Sequence, residues 1–373
     1  VKKHTDKPQY AWEAAAANSR RHCNELAKSM PSWLQRSGPY GNLVLSTRIR
    51  LARNLAAHAF PNKANVDSQK KIIAEVWDAL AGLPLAASPR CLDLSRLPRL
   101  DREMLLERRL ASPQFIERKG PRLLALNADE SLSLMINEED HLRLQAMQPG
   151  LAIAAAWEAI RALDDQLSER IEYAFSERFG YLTACPTNTG TGIRVSVLMH
   201  LPALALLRGI EAAKSRLAQH GMTMRGFYGE GTAASGNMFQ ISNQVTLGRT
   251  EAEVMTVVAK VAEDLRQLEE HTRGQLMTGR NNFLLDRIWR AYGTMRYARM
   301  LNSQECLDVL SMLRLGHDCD VEEMKDWPLA RFNELTLMLQ PGHLRKNHKA
   351  MAGAYERDSM RAMLLRVKLG LQS

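Results

Sequence analysis

The sequence lacks most of the features that would classify it quickly. It has no Gly-Lys dipeptide, which excludes a Walker-type phosphate loop. It has no His-Arg-Asp or Asp-Phe-Gly triplet, which excludes the ordinary protein-kinase site. Cysteine is scarce: Cys23, Cys91, Cys185, Cys306 and Cys319 are odd in number, scattered and nowhere spaced as Cys-x-x-Cys. Neither a disulfide framework nor a zinc site is indicated, and a reducing cytoplasm fits. No apolar run is long and charge-free enough to cross a bilayer. The N-terminus is charged and carries no apolar core before a cleavage site, so it does not read as a secretory signal. There is no internal repeat, and no low-complexity tract apart from the alanines at 14–17.

What is present suffices for a sizeable core in one or two domains: 373 residues, 45% of them hydrophobic. The net charge is +9, and its location is informative. Residues 1–41 hold seven Lys/Arg against three Asp/Glu, and residues 341–373 hold seven against two, so the middle is near neutral. A nucleic-acid binder would concentrate positive charge on a folded recognition surface. Here the excess lies at the ends, and no nucleic-acid partner is expected.

Hydrophobic periodicity outlines the fold. Leu43-Val44-Leu45-Ser46 reads as a buried strand, and 123–126 with 132–136 as a hairpin ending at an acidic turn. Ile72, Ile73, Val76, Trp77 and Leu80 recur at helical spacing. Residues 151–179 carry an apolar stripe from Ile153 to Phe175 and predict one long amphipathic helix stopped by Gly180. Residues 195–199 and 239–247 read as strands, 202–220 and 251–276 as helices, and everything beyond Thr278 as helical. The fold class is α+β: an antiparallel sheet flanked by helices, then an all-helical C-terminal domain.

Against this background five arginines stand out, in four short motifs. These are Ser46-Thr47-Arg48-Ile49-Arg50, Asn137-Glu138-Glu139-Asp140-His141-Leu142-Arg143, Cys185-Pro186-Thr187-Asn188-Thr189-Gly190-Thr191-Gly192-Ile193-Arg194, and Arg225-Gly226-Phe227-Tyr228-Gly229-Glu230-Gly231. Guanidinium forks match phosphate oxygens two at a time. Arg48 and Arg50, two apart, share one side of an extended segment. The Gly/Thr loop at 189–192 can bring backbone N–H groups close to phosphate. Glu139 and Glu230 suit a positive acceptor. The set suggests a triphosphate meeting a basic nucleophile, with two carboxylates able to align one nitrogen and accept its proton. Glu138 and Asp140 read as structural carboxylates. Cys185 reads equally as a substrate contact or as an ordinary buried cysteine. His141 and His200 carry no proton-transfer role in this reading.

Taken in order, these segments resemble the phosphagen (ATP:guanidino) kinases, most closely their bacterial branch, the protein arginine kinases. The match runs from about Asn42 to His271, adds the tract Phe239-Gln240-Ile241-Ser242-Asn243-Gln244, and includes Arg357-Asp358-Ser359-Met360-Arg361-Ala362. The resemblance implies three regions: an N-terminal extension at 1–41, expected to be loosely ordered; a catalytic domain at 42–272; and a helical domain at 278–373. Residues 1–30 fit the family poorly, and Met30 directly precedes the first matching segment, so an upstream extension of the start is the alternative for them.

For the site, the resemblance implies Glu139, Glu230 and Cys185 as catalytic residues. It implies nucleotide contacts at Ser46, Thr47, Arg48, Ile49, Arg50, Arg143, Arg194, Val195, Ser196, Val197, Leu198, Arg225, Gly226, Phe227, Tyr228, Gly229 and Glu230. Arg109 joins them as a departure, standing where the bacterial branch has a nucleotide-contacting histidine. ATP is the phosphoryl donor and brings Mg²⁺ with it, held by phosphate oxygens and water, so no protein metal cage is expected. Arg357, Asp358, Ser359, Met360, Arg361 and Ala362 correspond to an allosteric phosphoarginine-binding element; taken alone, they read as a helix face with Asp358–Arg361 pairing. Only about forty residues precede the first motif, too few for the lid that small-molecule members close over a free amino acid, so arginine in proteins is the expected acceptor. The family's partners are a heat-shock repressor substrate, a zinc-binding activator, a Clp chaperone-protease and a second copy in a homodimer, all in the cytoplasm without membrane attachment. A catalytically inactive phosphoarginine-binding adaptor and a free-arginine kinase are the alternatives.

Overall fold

A computed structural model describes residues 9–83, 85, 90–227, 235–278, 283–348 and 353–370. Its strands are β1 (Val44–Arg53), β2 (Arg90–Asp93), β3 (Leu123–Leu126), β4 (Leu132–Ile136), β5 (Leu142–Pro149), β6 (Phe175–Ser176), β7 (Gly180–Tyr181), β8 (Ile193–His200), β9 (Met222–Gly226) and β10 (Met238–Asn243). Eight of them form one antiparallel sheet in the order β2-β3-β4-β5-β1-β8-β10-β9. Side chains alternate across a strand, so each central strand sends every second residue to the same face. On one face Ile49, Leu51, Leu144, Ala146, Val195 and Val197 join the main core, beneath helices Ile153–Ser168, Ile210–Gln219 and Glu251–Thr278. The opposite face carries arginine.

Three expectations from the sequence need correction. Residues 9–41 are not a loose arm. Helices Ala11–Ala15 and Ser19–Lys28 bury Trp12 in the main core, and bury Cys23 and Leu26 against Leu92, Met104, Phe115 and Leu124. An apolar face buried on that scale orders a helix whatever its net charge. The long helix ends at Ser168, not at Gly180. Beyond it Tyr173 bridges to Leu55, and β6–β7 form a hairpin in which a Cβ on Gly180 would lie 2.6 Å from Gly190 O. The 202–220 helix is two helices, Pro202–Leu206 and Ile210–Gln219, interrupted at Arg208, whose φ is +57°.

From Phe283 on, the described residues are helical: Phe283–Tyr297, Ser303–Asp318, Leu329–Met338, Pro341–Asn347 and Ala354–Lys368 surround a second core. This bundle is bonded to the sheet domain through buried polar contacts. Arg314 donates to Gly41 O at 2.7 Å and to Asn333 Oδ1 at 2.7 Å, while Asn333 donates to Leu34 O. Glu107 accepts from the backbone of Gly342 and His343 and from His343 Nδ1. Beside it Arg108, fully buried, forms a two-pronged pair with Glu130. No described helix is long and apolar enough to cross a membrane.

Candidate active site

The arginine face is assembled by register. Arg50 lies opposite Arg194 across the β1–β8 ladder, Arg48 opposite Ser196, Gln240 opposite Arg225, and Arg143 opposite Ala52. Five neighbouring strands thus deliver Arg143, Arg48, Arg50, Arg194, Gln240 and Arg225 to one surface. Their partners are mostly neutral. Arg48 donates to Ser196 Oγ (3.3 Å) and Gln240 Oε1 (3.0 Å), and Arg194 donates to Ser242 Oγ (3.2 Å). The Nε atoms of Arg50 and Arg194 and the hydroxyl of Ser46 are buried with no partner. Burial pushes the Arg48 and Arg50 pKa values well down, and the surrounding guanidiniums push the same way. Burial and the adjacent Arg225 and Arg143 lower Arg194 likewise. Such an assembly is frustrated until an anion enters it.

Arg109 closes one wall. Its φ of +64° and the hydrogen bond from Gln145 Nε2 to its carbonyl turn it inward. There its guanidinium bonds Gln240 and lies 4.3 Å from the centre of the Phe227 ring. Phe227 also packs on Leu45, Leu198 and Met238. The result is a cleft of about 490 Å³ bordered by Arg48, Arg50, Arg109, Arg225, Phe227 and Gln240, with an apolar end and a cationic floor.

The acidic turn Asn137–Asp140 stands beside Arg143. Asn137 enters it at φ +62° with its amide tied to Gln69 O and Pro121 O. Glu138 is buried and accepts from Arg143 Nη1 at 2.8 and 2.7 Å, from Ser112 and from the Glu139 N–H. Burial alone would raise its pKa, but Arg143 and these donors outweigh it and hold the group below the usual carboxylate range. Asp140 accepts from Asn54 Nδ2 at 2.7 Å and Ala184 N at 2.6 Å. Its flanking carboxylates thus fixed, Glu139 is half-exposed and hydrogen-bonded to Cys185. Burial, then Glu138 and Asp140, raise the Glu139 pKa against the opposing pull of Arg143. That combination suits a proton acceptor. His141 is structural: Nδ1 accepts from Leu55 N–H, Nε2 faces Ala59 O, and burial pushes its pKa to about 4.

Residues 71–272 match the model of the ATP:guanido phosphotransferase C-terminal catalytic domain, and residues 281–373 match that of the protein-arginine kinase McsB C-terminal domain. The chain belongs to the ATP:guanido phosphotransferase family. Curated relatives named protein-arginine kinase include one from Desulforamulus reducens, 42% identical over 340 residues, covering 90% of this chain and 95% of the relative. One from Halothermothrix orenii is 39% identical, covering 93% and 98%. Among solved structures, the duplicated taurocyamine kinase of Schistosoma mansoni with bound transition-state-analogue components aligns with a TM-score of 0.58 at 26% identity, over 72% of this chain and 39% of that one. A lombricine kinase aligns with a TM-score of 0.56 at 25% identity, over 68% and 74%.

This guanidino phosphotransferase is therefore an ATP-dependent kinase of α+β fold. Its structure sorts the residues expected at the site. Ser46, Arg48, Arg50, Arg143, Arg194, Ser196, Leu198, Arg225, Gly226, Phe227 and Arg109 border the cleft or share its face, and Glu139 and Cys185 adjoin it. Thr47, Ile49, Val195 and Val197 do not. Their side chains enter the opposite, buried face, where Thr47 Oγ1 bonds Gly150 O and Ala152 N. Motif contiguity included them; strand alternation turns their side chains away from the cleft. Tyr228, Gly229 and Glu230 lie outside the described residues.

The Gly/Thr loop is also reassigned. Thr189, Gly190 and Thr191 N–H groups already bond Pro186 O, Tyr181 O and Thr246 O. The glycines serve close packing: Cβ atoms on Gly190 and Gly192 would lie 2.6 Å from Thr246 O and Ala52 O. Arg361 is 1% exposed and bonded to Leu339 O, Leu301 O and Asp358 Oδ1, the intrahelical pairing that its spacing allowed. Sequence reasoning missed Gln240, which joins Arg48 to Arg109. It also missed Arg53, which clasps Asp164, Thr191 O and the Tyr181 ring. Their signal was position: Gln240 lies within the tract at 239–244, and Arg53 lies three residues beyond Arg50 on the same strand.

Proposed function

We propose that the protein phosphorylates arginine side chains of proteins, moving the γ-phosphoryl group of MgATP onto a guanidino nitrogen. The observation that carries this reading is the convergence of Arg48, Arg50, Arg143, Arg194 and Arg225 beside a Glu139 whose pKa is raised. The forks hold the triphosphate tail, and Arg109 and Phe227 flank the base. Positioning and electrostatics do nearly all the work of phosphoryl transfer through a loose transition state. Mg²⁺ arriving with the nucleotide neutralises charge between its phosphate oxygens. Glu139 and Cys185 hold the acceptor guanidinium. As its nitrogen attacks phosphorus the N–P bond forms, the bond to ADP breaks, and the displaced proton passes to Glu139. Glu230 is proposed as the second carboxylate on the same group.

Protein acceptors are favoured by the relatives named protein-arginine kinase and by the matched C-terminal domain. On the same reading we place the protein in the cytoplasm as a homodimer, in a stress response that marks proteins for a Clp protease. A heat-shock repressor is among its substrates and a zinc-binding protein is its activator. The Arg357–Ala362 element is proposed to bind phosphoarginine, with the pinned Arg361 as scaffold and the part-exposed Arg357 and Asp358 as contacts. Incubation with labelled ATP and either a casein-like protein or free arginine tests the main reading. Acid-labile label on protein supports it; label confined to free arginine, or none, refutes it.

A further inference from the structure

The arginine cleft depends on β10, and the turn that launches β10 is tied to the C-terminal bundle. Gly236 and Asn237 are consecutive left-handed residues, with φ of +65° and +52°. Such conformations persist where the surroundings over-determine them. The surroundings here belong to the other domain. Helix Ser303–Asp318 of the C-terminal bundle presents three polar residues at successive turns of one face: Gln304, Asp308 and Ser311. Ser235 Oγ bonds Gln304 Oε1, Gly236 N–H donates to Asp308 Oδ1 at 2.9 Å, and Asn237 Nδ2 donates to Ser311 Oγ at 2.8 Å. Ser311 Oγ also meets His200 Nε2, at the end of β8, at 2.7 Å. Gln304 Nε2 holds both oxygens of Asp308, fixing its orientation. The approach is close enough that a Cβ on Gly236 would lie 2.9 Å from Leu307 O.

We infer that Asp308, with Gln304 and Ser311, forms a positioning clamp through which the C-terminal domain sets the geometry of phosphoryl transfer. This rests on the proposed function, and it names residues that touch neither nucleotide nor acceptor. The route is short. The clamped turn leads into β10, where Gln240 bonds Arg48 and Arg109. β10 pairs with β9 so that Gln240 faces Arg225, and the Phe227 N–H donates to Met238 O. Displacing the turn therefore moves Gln240, Arg225 and Phe227 together. The clamp helix is held just before its first turn, at the end that carries Gln304, by the Arg357–Ala362 element: Leu301 N–H donates to Asp358 O, and Arg361 donates to Leu301 O at 2.8 Å. Anything that draws on Asp358 or Arg361 acts on the same helix that sets β10.

Asp308 is solvent-exposed, so replacing it leaves no buried hole. In the full-length chain, Asp308→Ala should reduce turnover about tenfold at saturating ATP, leave ADP affinity within about twofold, and hardly move the melting temperature. Asp308→Asn keeps the accepting Oδ1 and should restore most of the rate. Gly236→Ala forces the same contact apart from the other side, and combined with Asp308→Ala it should add little further loss. Amide exchange over 236–242 should quicken in Asp308→Ala, a readout independent of which acceptor is phosphorylated. If the wild type labels free arginine but not protein, the proposed function fails, and the clamp is still judged by the rate ratio and the exchange. Unchanged turnover with unchanged exchange in Asp308→Ala overturns the clamp, as does loss of melting temperature with full turnover per folded molecule.

Discussion

Arginine is used in two opposite ways in this molecule. At seams between packed elements, Arg53, Arg108, Arg273 and Arg361 are buried and paired: Arg53 with Asp164, Arg108 with Glu130, Arg273 with Glu269 and Asp318, Arg361 with two carbonyls and Asp358. On the cleft face, Arg48, Arg50 and Arg194 face hydroxyls, an amide and one another. The first set finds its counter-charges within the fold, although Arg273 Nη2 stays without a partner. The second is satisfied only by a ligand, so the free enzyme holds unpaired donors and mutual repulsion in readiness for a polyanion. Unmatched charge thus distinguishes a binding arginine from a scaffolding one more clearly than burial does.

The sharpest way to break this contrast is at the carboxylate the cleft serves. Glu139→Gln keeps the size of the side chain but removes its basicity. Transfer to protein should fall on the order of a thousandfold while ADP binding is retained. Turnover close to wild type would remove Glu139 from the chemistry. The two arginine classes are then separated by single truncations read in both assays. Arg108→Ala strands Glu130, itself 2% exposed, and should cost about 3–5 kcal/mol of stability by chemical denaturation. Arg194→Ala should lower turnover about a hundredfold, roughly 3 kcal/mol, without lowering the melting temperature, because it relieves repulsion with Arg225 and Arg143. If Arg194→Ala destabilises the chain as Arg108→Ala does, the distinction between the classes collapses.

The sequence disclosed the second class far better than the first. Arg48 and Arg50 were legible because a two-residue spacing on a strand has one geometric consequence, and the alternation of Ile49 and Leu51 with them marked the buried face. That same alternation turns the side chains of Ile49, Val195 and Val197 into the core, which motif contiguity did not reveal. Among the matched arginines, Arg53 and Arg108 were illegible. Arg53 reaches Asp164 across 111 residues, and Arg108 meets a helix that begins more than 200 residues later. No local pattern encodes a partner so distant. The helix expected to reach Gly180 failed for a related reason. Ile171 and Phe175 continue an apolar stripe at helical spacing, yet Tyr173 between them pairs with Leu55 and Phe175 pairs with Tyr181.

The smallest effect is also the most specific, because two neighbours of Glu139 act with opposite sign. Burial, Glu138 and Asp140 raise the Glu139 pKa, while Arg143 and the Cys185 hydrogen bond lower it. The carboxylate must be ionised to accept the proton. Transfer should therefore fall as pH drops through a value above the ordinary carboxylate range, and it should be full above that value. Glu138→Gln removes a like charge and releases Arg143 from its pairing. The acid limb of the kcat/KM profile should then move to lower pH. Cys185→Ala removes a stabilising donor, and the limb should move to higher pH. The opposite signs of the two shifts are what the profile resolves. Two shifts in the same direction, or an acid limb that ignores both substitutions, would mean that the titrating group is not Glu139. The electrostatic contrast between cleft and seam would then have to be rebuilt around another base.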